Sequence, residues 1–148
     1  MNPPSEPTIF DTSAVIGLVE RRSPALVQAT TELGQPIVRS ATVSGELQHG
    51  AAITGDGQAA RADTLDRYLR LSAWPDLELE LDELARLYGI VSATSTEPSL
   101  RAGMNDRWVV AECLAFGTGL VTADARQARL ATTVADQTGL PLTVTLAE

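Results

Sequence analysis

The chain has 148 residues, the size of one domain, with a net charge of −8, 44% apolar residues, one cysteine and 11 basic residues that are all arginine. A chain this long can bury roughly two thirds of its unfolded surface, and it has no apolar run near the roughly 18 residues that span a membrane. The missing lysine excludes Schiff-base chemistry, P-loop phosphate binding and lysine-dependent receiver sites, the single Cys113 excludes an internal disulfide, and the acidity argues against broad, nonspecific nucleic-acid binding.

Residues 1–7 carry Pro3, Pro4 and Pro7, with no basic start and no apolar segment. They read as a flexible tail and not as a signal peptide, which leaves 8–148 as one domain. With one cysteine, the composition fits a reducing cytoplasm. Thr8-Ile9-Phe10 is a short buried strand that stops at Asp11. Thr12 and Ser13 are expected to cap the helix that follows through Val15, Ile16 and Val19, and Arg21 and Arg22 suit its C-terminal end. Pro24 opens a second helix that Gly34 stops. Pro36-Ile37-Val38 is a second strand. Ser40 or Thr42 caps a third helix, with Glu46 one turn beyond Thr42.

Gly55-Asp56-Gly57 breaks the chain. Gln58 to Leu71 is an amphipathic helix, with Ala62, Leu65 and Leu69 on one face and arginines and aspartates largely on the other. Trp74-Pro75 ends it. Leu77 to Leu81 alternates leucine with glutamate, the pattern of a half-exposed strand. Asp82 is expected to cap a helix through Val91, and 94–103 reads as a loop. Asn105 is expected to cap the helix Asp106–Phe116, which is apolar almost all round and so reads as the central buried helix. Gly117 and Gly119 end it. Leu120 to Ala123 is a strand that meets Asp124, a helix runs to about Ala135, and 142–146 is a last strand. Strands alternating with helices through short connections imply an α/β fold with a mostly parallel central sheet flanked by helices.

Asp11 and Asp124 thus stand at the carboxyl ends of strands, where open α/β sheets place their chemistry. Glu46 and Asp106 stand on helices nearby. Taken singly, Asp11 or Asp106 reads equally as a helix-cap acid. Four carboxylates at one sheet edge repel each other and raise each other's pKa unless a cation intervenes. Magnesium suits such a set, because it takes oxygen ligands and shares them with water and phosphate.

Four segments carry a resemblance. Asp11-Thr12-Ser13, Ser40 through Gly50 with Glu46, Asn105-Asp106-Arg107-Trp108-Val109-Val110-Ala111, and Leu120-Val121-Thr122-Ala123-Asp124 resemble, in order, the four acidic motifs of the PIN-domain ribonucleases. Over nearly the whole chain the sequence is similar to the VapC-type toxin of type II toxin–antitoxin pairs. The resemblance implies a PIN-like three-layer sandwich and a Mg²⁺-dependent endoribonuclease (Mn²⁺ as a substitute) that cleaves tRNA, rRNA or mRNA and inhibits translation. It implies Asp11 and Asp106 as metal ligands, Glu46 near the metal or attacking water, and Asp124 completing the acidic pocket. A VapB-type antitoxin is the implied partner, and the first two helices and the 58–71 helix are candidate docking or homodimer surfaces. The alternative is a noncatalytic PIN-like module that only binds a partner. The chain departs from the family in lacking an aromatic soon after the fourth acid and in carrying Glu112 where small or hydroxylated residues are usual.

An acidic chain needs local arginines to hold RNA, and Arg39, Arg107, Arg126 and Arg129 lie near the motifs, although solvated surface is the alternative for each. His49 reads as structural, Cys113, Trp108 and Phe116 as core, and Tyr68 and Trp74 as packing or interface groups that could also stack a base. An aspartyl-phosphate phosphatase would need an acid at position 13, where Ser13 stands, and a metal-dependent adhesion site a serine at Val15.

Overall fold

Seven α-helices and five short strands make up the computed structural model, which describes residues 6–147. The elements are β1 (Thr8–Phe10), α1 (Thr12–Val19), α2 (Pro24–Leu33), β2 (Ile37–Val38), α3 (Ala41–Ala52), α4 (Gln58–Leu71), β3 (Ser72–Ala73), α5 (Leu81–Thr94), α6 (Met104–Phe116), β4 (Gly119–Thr122), α7 (Ala125–Thr138) and β5 (Val144–Leu146). Every strand pairing is parallel. The order is β1-β4-β5 in one group and β2-β3 in the other, and β1 packs beside β2. This is the expected α/β fold with helices flanking a parallel sheet. Among the described residues, no helix is long and apolar enough to cross a membrane.

Of the expected 1–7 tail, residues 1–5 lie outside the described residues. Pro7 is tied to the sheet, since the Gly119 N–H donates to its carbonyl at 2.8 Å. The register then sets Ile9 against Leu120 and Phe10 against Val121, all four buried. Val109, Val110 and Cys113 of α6 and Leu130 and Val134 of α7 complete the core around these strands. Burying such side chains is worth about 1.5–3 kcal/mol each for the larger ones. Gly17 lets α1 and α2 pack closely, because a Cβ there would lie 2.5 Å from Leu26 Cδ1.

Four local expectations are corrected. Asp11 itself caps α1, its carboxylate accepting the Ala14 N–H at 2.8 Å, so Thr12 and Ser13 are not the caps. An aspartate at the strand end already has the extended backbone that a cap requires. Leu77 to Glu80 forms no strand, although the leucines alternate; the place beside β2 is taken by Ser72–Ala73, so the leucines have no ladder to join and stay exposed. Asp82 and Asn105 lie inside their helices, which start after Glu80 and Gly103 without a side-chain cap bond. On α4 the buried residues are Thr64 and Tyr68, with Leu65 and Leu69 partly buried, and Ala62 is exposed.

A candidate acidic active site

Asp11 closes β1 and opens α1, and that position leaves it only 2% exposed. Its carboxylate is held from three directions. Oδ1 accepts the Ser13 hydroxyl at 2.7 Å and the Ala14 N–H, and Oδ2 accepts the Thr122 hydroxyl from the neighbouring strand. Thr122 also accepts the Asp124 N–H at 3.0 Å, so one hydroxyl links the two strand-end acids. Burial raises the Asp11 pKa most; the Thr122, Ser13 and Ala14 bonds oppose it, and the Asp124 charge adds to it.

Asp124 is exposed and caps α7, accepting the Arg126 N–H at 2.9 Å and the Gln127 N–H at 3.3 Å. Glu46 is half-buried on α3, and its Oε1 accepts the Thr12 hydroxyl at 2.8 Å. Asp106 stands in the first turn of α6. The four predicted acids therefore meet at one edge. Asp106 reports the meeting: its pKa is pushed up to about 6, first by burial and then by the charges of Asp11, Glu46 and Asp124. No described hydrogen bond or ion pair reaches the Asp106 carboxylate.

An all-oxygen, all-anionic donor set suits a hard divalent cation. Among the described residues, no three His, Cys, Asp or Glu side chains are arranged as a ready-made metal cluster. Asp11 and Glu46 each accept from hydroxyl donors. Magnesium keeps several waters and needs only one or two carboxylates, so the donor set fits it without a closed cage.

Two clefts flank the acids. One, of about 390 Å³, is lined by Asp106 and Asp124 together with Arg101, Arg126 and Arg129. Arg126 and Arg129 were expected near the site; Arg101 was missed, although it is as close to Asp106 in sequence as Arg129 is to Asp124. Two other expected arginines are committed elsewhere. Arg39 donates to the Leu69 and Ser72 carbonyls and lies over Trp74, and Arg107 lies over Tyr88. The second cleft, of about 480 Å³, lies along α3 and α6 and includes Glu46 and His49. His49 is exposed there. Tyr68 is fully buried, its hydroxyl oxygen accepting the Ser40 N–H, and burial raises its pKa to about 12. It is a packing residue. Cys113 is a buried core thiol whose pKa burial also raises.

Two residues that support the site were not anticipated in those roles. Thr122 holds Asp11, and a hydroxyl two residues before a strand-end acid was the available signal. Glu112 is 4% exposed on α6, and its Oε1 accepts both the N–H and the hydroxyl of Thr42 in the first turn of α3. Its Oε2 has no partner among the described residues.

The comparisons with known proteins follow this geometry. A family model described as PIN domain matches residues 8–132. A structure of VapBC-1 from nontypeable Haemophilus influenzae is similar in fold, with TM-score 0.68 and 17% identity, covering 94% of this chain and 96% of that one. A structure of VapBC2 from Rickettsia felis, bound to a DNA fragment from their promoter, matches with TM-score 0.68 and 17% identity, covering 95% and 98%. No curated protein matches the chain in sequence.

Proposed function

The chain belongs to the PIN-domain family, and we propose that it is a VapC-type toxin: a Mg²⁺-dependent endoribonuclease that cleaves RNA, inhibits translation and is silenced by a VapB-type antitoxin. The observation that carries this reading is Asp106, a carboxyl with no donor of its own, raised to about 6 by burial and three neighbouring acids. Such a cluster is what a bound cation would relieve. Asp11 and Asp106 would hold magnesium, which supplies polarisation of the phosphodiester and a lowered pKa for the attacking water.

The protein's own groups do the rest. Ser13, Ala14 and Thr122 fix the Asp11 carboxylate, so little reorganisation is needed when charge arrives. Thr12 orients Glu46 toward the position from which it can accept a proton from water. Asp124 contributes negative charge while its capping bonds hold it in place. Arg101, Arg126 and Arg129 offer phosphate contacts beside the acids, which answers the objection raised by the net charge of −8.

The solved VapBC structures support an antitoxin partner for this chain. A groove of about 400 Å³ along α1, α2 and α4 fits that role, with Leu18, Val19, Val27 and Leu71 inside and Arg22, Arg67 and Arg70 beside them. An arginine from the partner entering the acidic edge would replace the metal's charge.

The test is expression of wild type, Asp11→Asn and Asp106→Asn with sequencing of RNA 5′ ends. Wild type should arrest growth and produce new ends, and both variants should do neither. Cleavage that persists in the variants overturns the reading. Millimolar Mg²⁺ or Mn²⁺ should raise the melting temperature of wild type and not of Asp106→Asn.

A further inference from the structure

The cleft along α3 and α6 is lined by Gly45, Glu46, His49, Met104, Asn105 and Trp108. Its volume lies within the range of small-molecule sites. Gly45 sits mid-helix, where glycine weakens a helix relative to alanine. Nothing local demands it: its φ is not positive, and a Cβ there would meet no atom within 4 Å. A missing side chain that packing does not require leaves the helix backbone open to something that approaches it. That opening lies immediately before Glu46.

The walls suit a flat, polar-edged ring. Trp108 is held rigid by Tyr88, stacked at 3.8 Å between centroids and 16° between planes. Met104 is 59% exposed, an apolar, polarisable side chain at the mouth. Asn105 and His49 are both exposed, and each brings hydrogen-bonding groups of a kind that read base edges. Asn105 lines this cleft and the adjacent Asp106 lines the arginine cleft, so the two meet at the start of α6.

We propose that this cleft is a nucleobase subsite: it seats one base of the RNA strand next to the cleaved phosphodiester, while Arg101, Arg126 and Arg129 of the neighbouring cleft take phosphates. This rests on the ribonuclease reading and deepens it. Single-stranded RNA is recognised by stacking unpaired bases on aromatic and apolar groups and bonding their edges, and this cleft supplies both.

The chain contains one histidine, so the His49 imidazole gives a unique reporter inside the cleft. Its ring-proton NMR resonances are followed during titration of wild type and Gly45→Leu with adenosine, guanosine, cytidine and uridine in EDTA, where nothing is cleaved. At least one nucleoside should shift them in wild type, and none in Gly45→Leu. In parallel, with Mg²⁺, Gly45→Leu should raise KM for RNA by about tenfold or more with a smaller change in kcat. Asn105→Ala should relax the base preference beside the cut. Gly45→Leu should fold as wild type, read by circular dichroism, because a Cβ at 45 meets no atom within 4 Å. Resonances unmoved by every nucleoside, or wild-type KM and cut sites in Gly45→Leu and Asn105→Ala, overturn the subsite. A wild-type protein that shifts with nucleosides but cuts no RNA overturns the ribonuclease reading, and with it the place of the subsite beside a cut, and leaves only a nucleoside-binding cleft.

Discussion

Glu112 and Asp106 both stand on α6, and the fold treats their carboxylates differently. At the contact of α3 and α6, Glu112 is buried with one oxygen accepting both the N–H and the hydroxyl of Thr42. It lies at the N-terminus of α3, where the helix dipole favours a negative charge. The fold thus supplies much of the compensation itself. At the sheet edge, Asp11, Glu46, Asp106 and Asp124 are brought within range of one another, and none joins a described ion pair. Glu112 has two donors on one oxygen and none on the other, whereas among the described residues none donates to the Asp106 carboxylate, which faces three other acids.

The contrast can be broken most directly by activity. Asp106→Asn should lower RNA cleavage by about a hundredfold or more, whereas Glu112→Gln, which retains an acceptor for Thr42, should stay within about tenfold of wild type. Equal losses from the two would show that both acids serve the reaction. In stability the order should reverse. Glu112→Ala leaves the half-buried Thr42 donors without their acceptor and should cost about 1–3 kcal/mol in urea unfolding. Asp106→Asn should make the metal-free protein more stable at neutral pH, since it removes a charge that the fold disfavours.

The pH profile sharpens the same point. The folded-state pKa of Asp106, about 6, lies above its ordinary 3.8. The folded protein therefore holds this proton more tightly than the unfolded chain, and the stability gained is complete below the ordinary value and lost as pH rises through about 6. The raised Asp11 pKa acts in the same direction. Melting temperatures of metal-free wild type should fall across that window, and Asp106→Asn should flatten the fall. The smallest effect is expected from Thr12→Val. It removes one hydroxyl from the half-buried Glu46 and should cost about 1 kcal/mol or less, with a reduction in kcat measurable on a defined RNA.

The elements that the sequence predicts well are those with local causes. Helix α2 runs from Pro24 to Leu33 with Gly34 following at φ 64°, and α4 runs from Gln58 to Leu71, both as their punctuation implies. The misreadings share a different cause. Leu77 to Leu81 has the alternation of a strand, yet a strand needs an edge to pair with, and Ser72–Ala73 holds that edge. Asp82 and Asn105 have the chemistry of caps, yet their helices begin one or two residues earlier. In the site, Asp11 and Asp124 are legible as acids at strand ends and Asp106 as an acid near a helix start, whereas Glu46, in mid-helix, is legible only through the resemblance of its motif. Arg39 shows what proximity in sequence omits, for its guanidinium turns to the Leu69 and Ser72 carbonyls.

The sequence by itself determined the α/β class and the parallel sheet, because periodicity, capping and turn chemistry act over a few residues, and it offered the four acids as candidates through the resemblance of their motifs. Only the tertiary structure decided how those acids differ. It gave Asp11 the Thr122 hydroxyl from a strand 111 positions away and left Asp106 without a donor. It gave Glu112 a partner 70 positions distant and opened the cleft beside Gly45. Burial, mutual repulsion and donor supply depend on which distant segments pack together, and no local pattern in the chain encodes that.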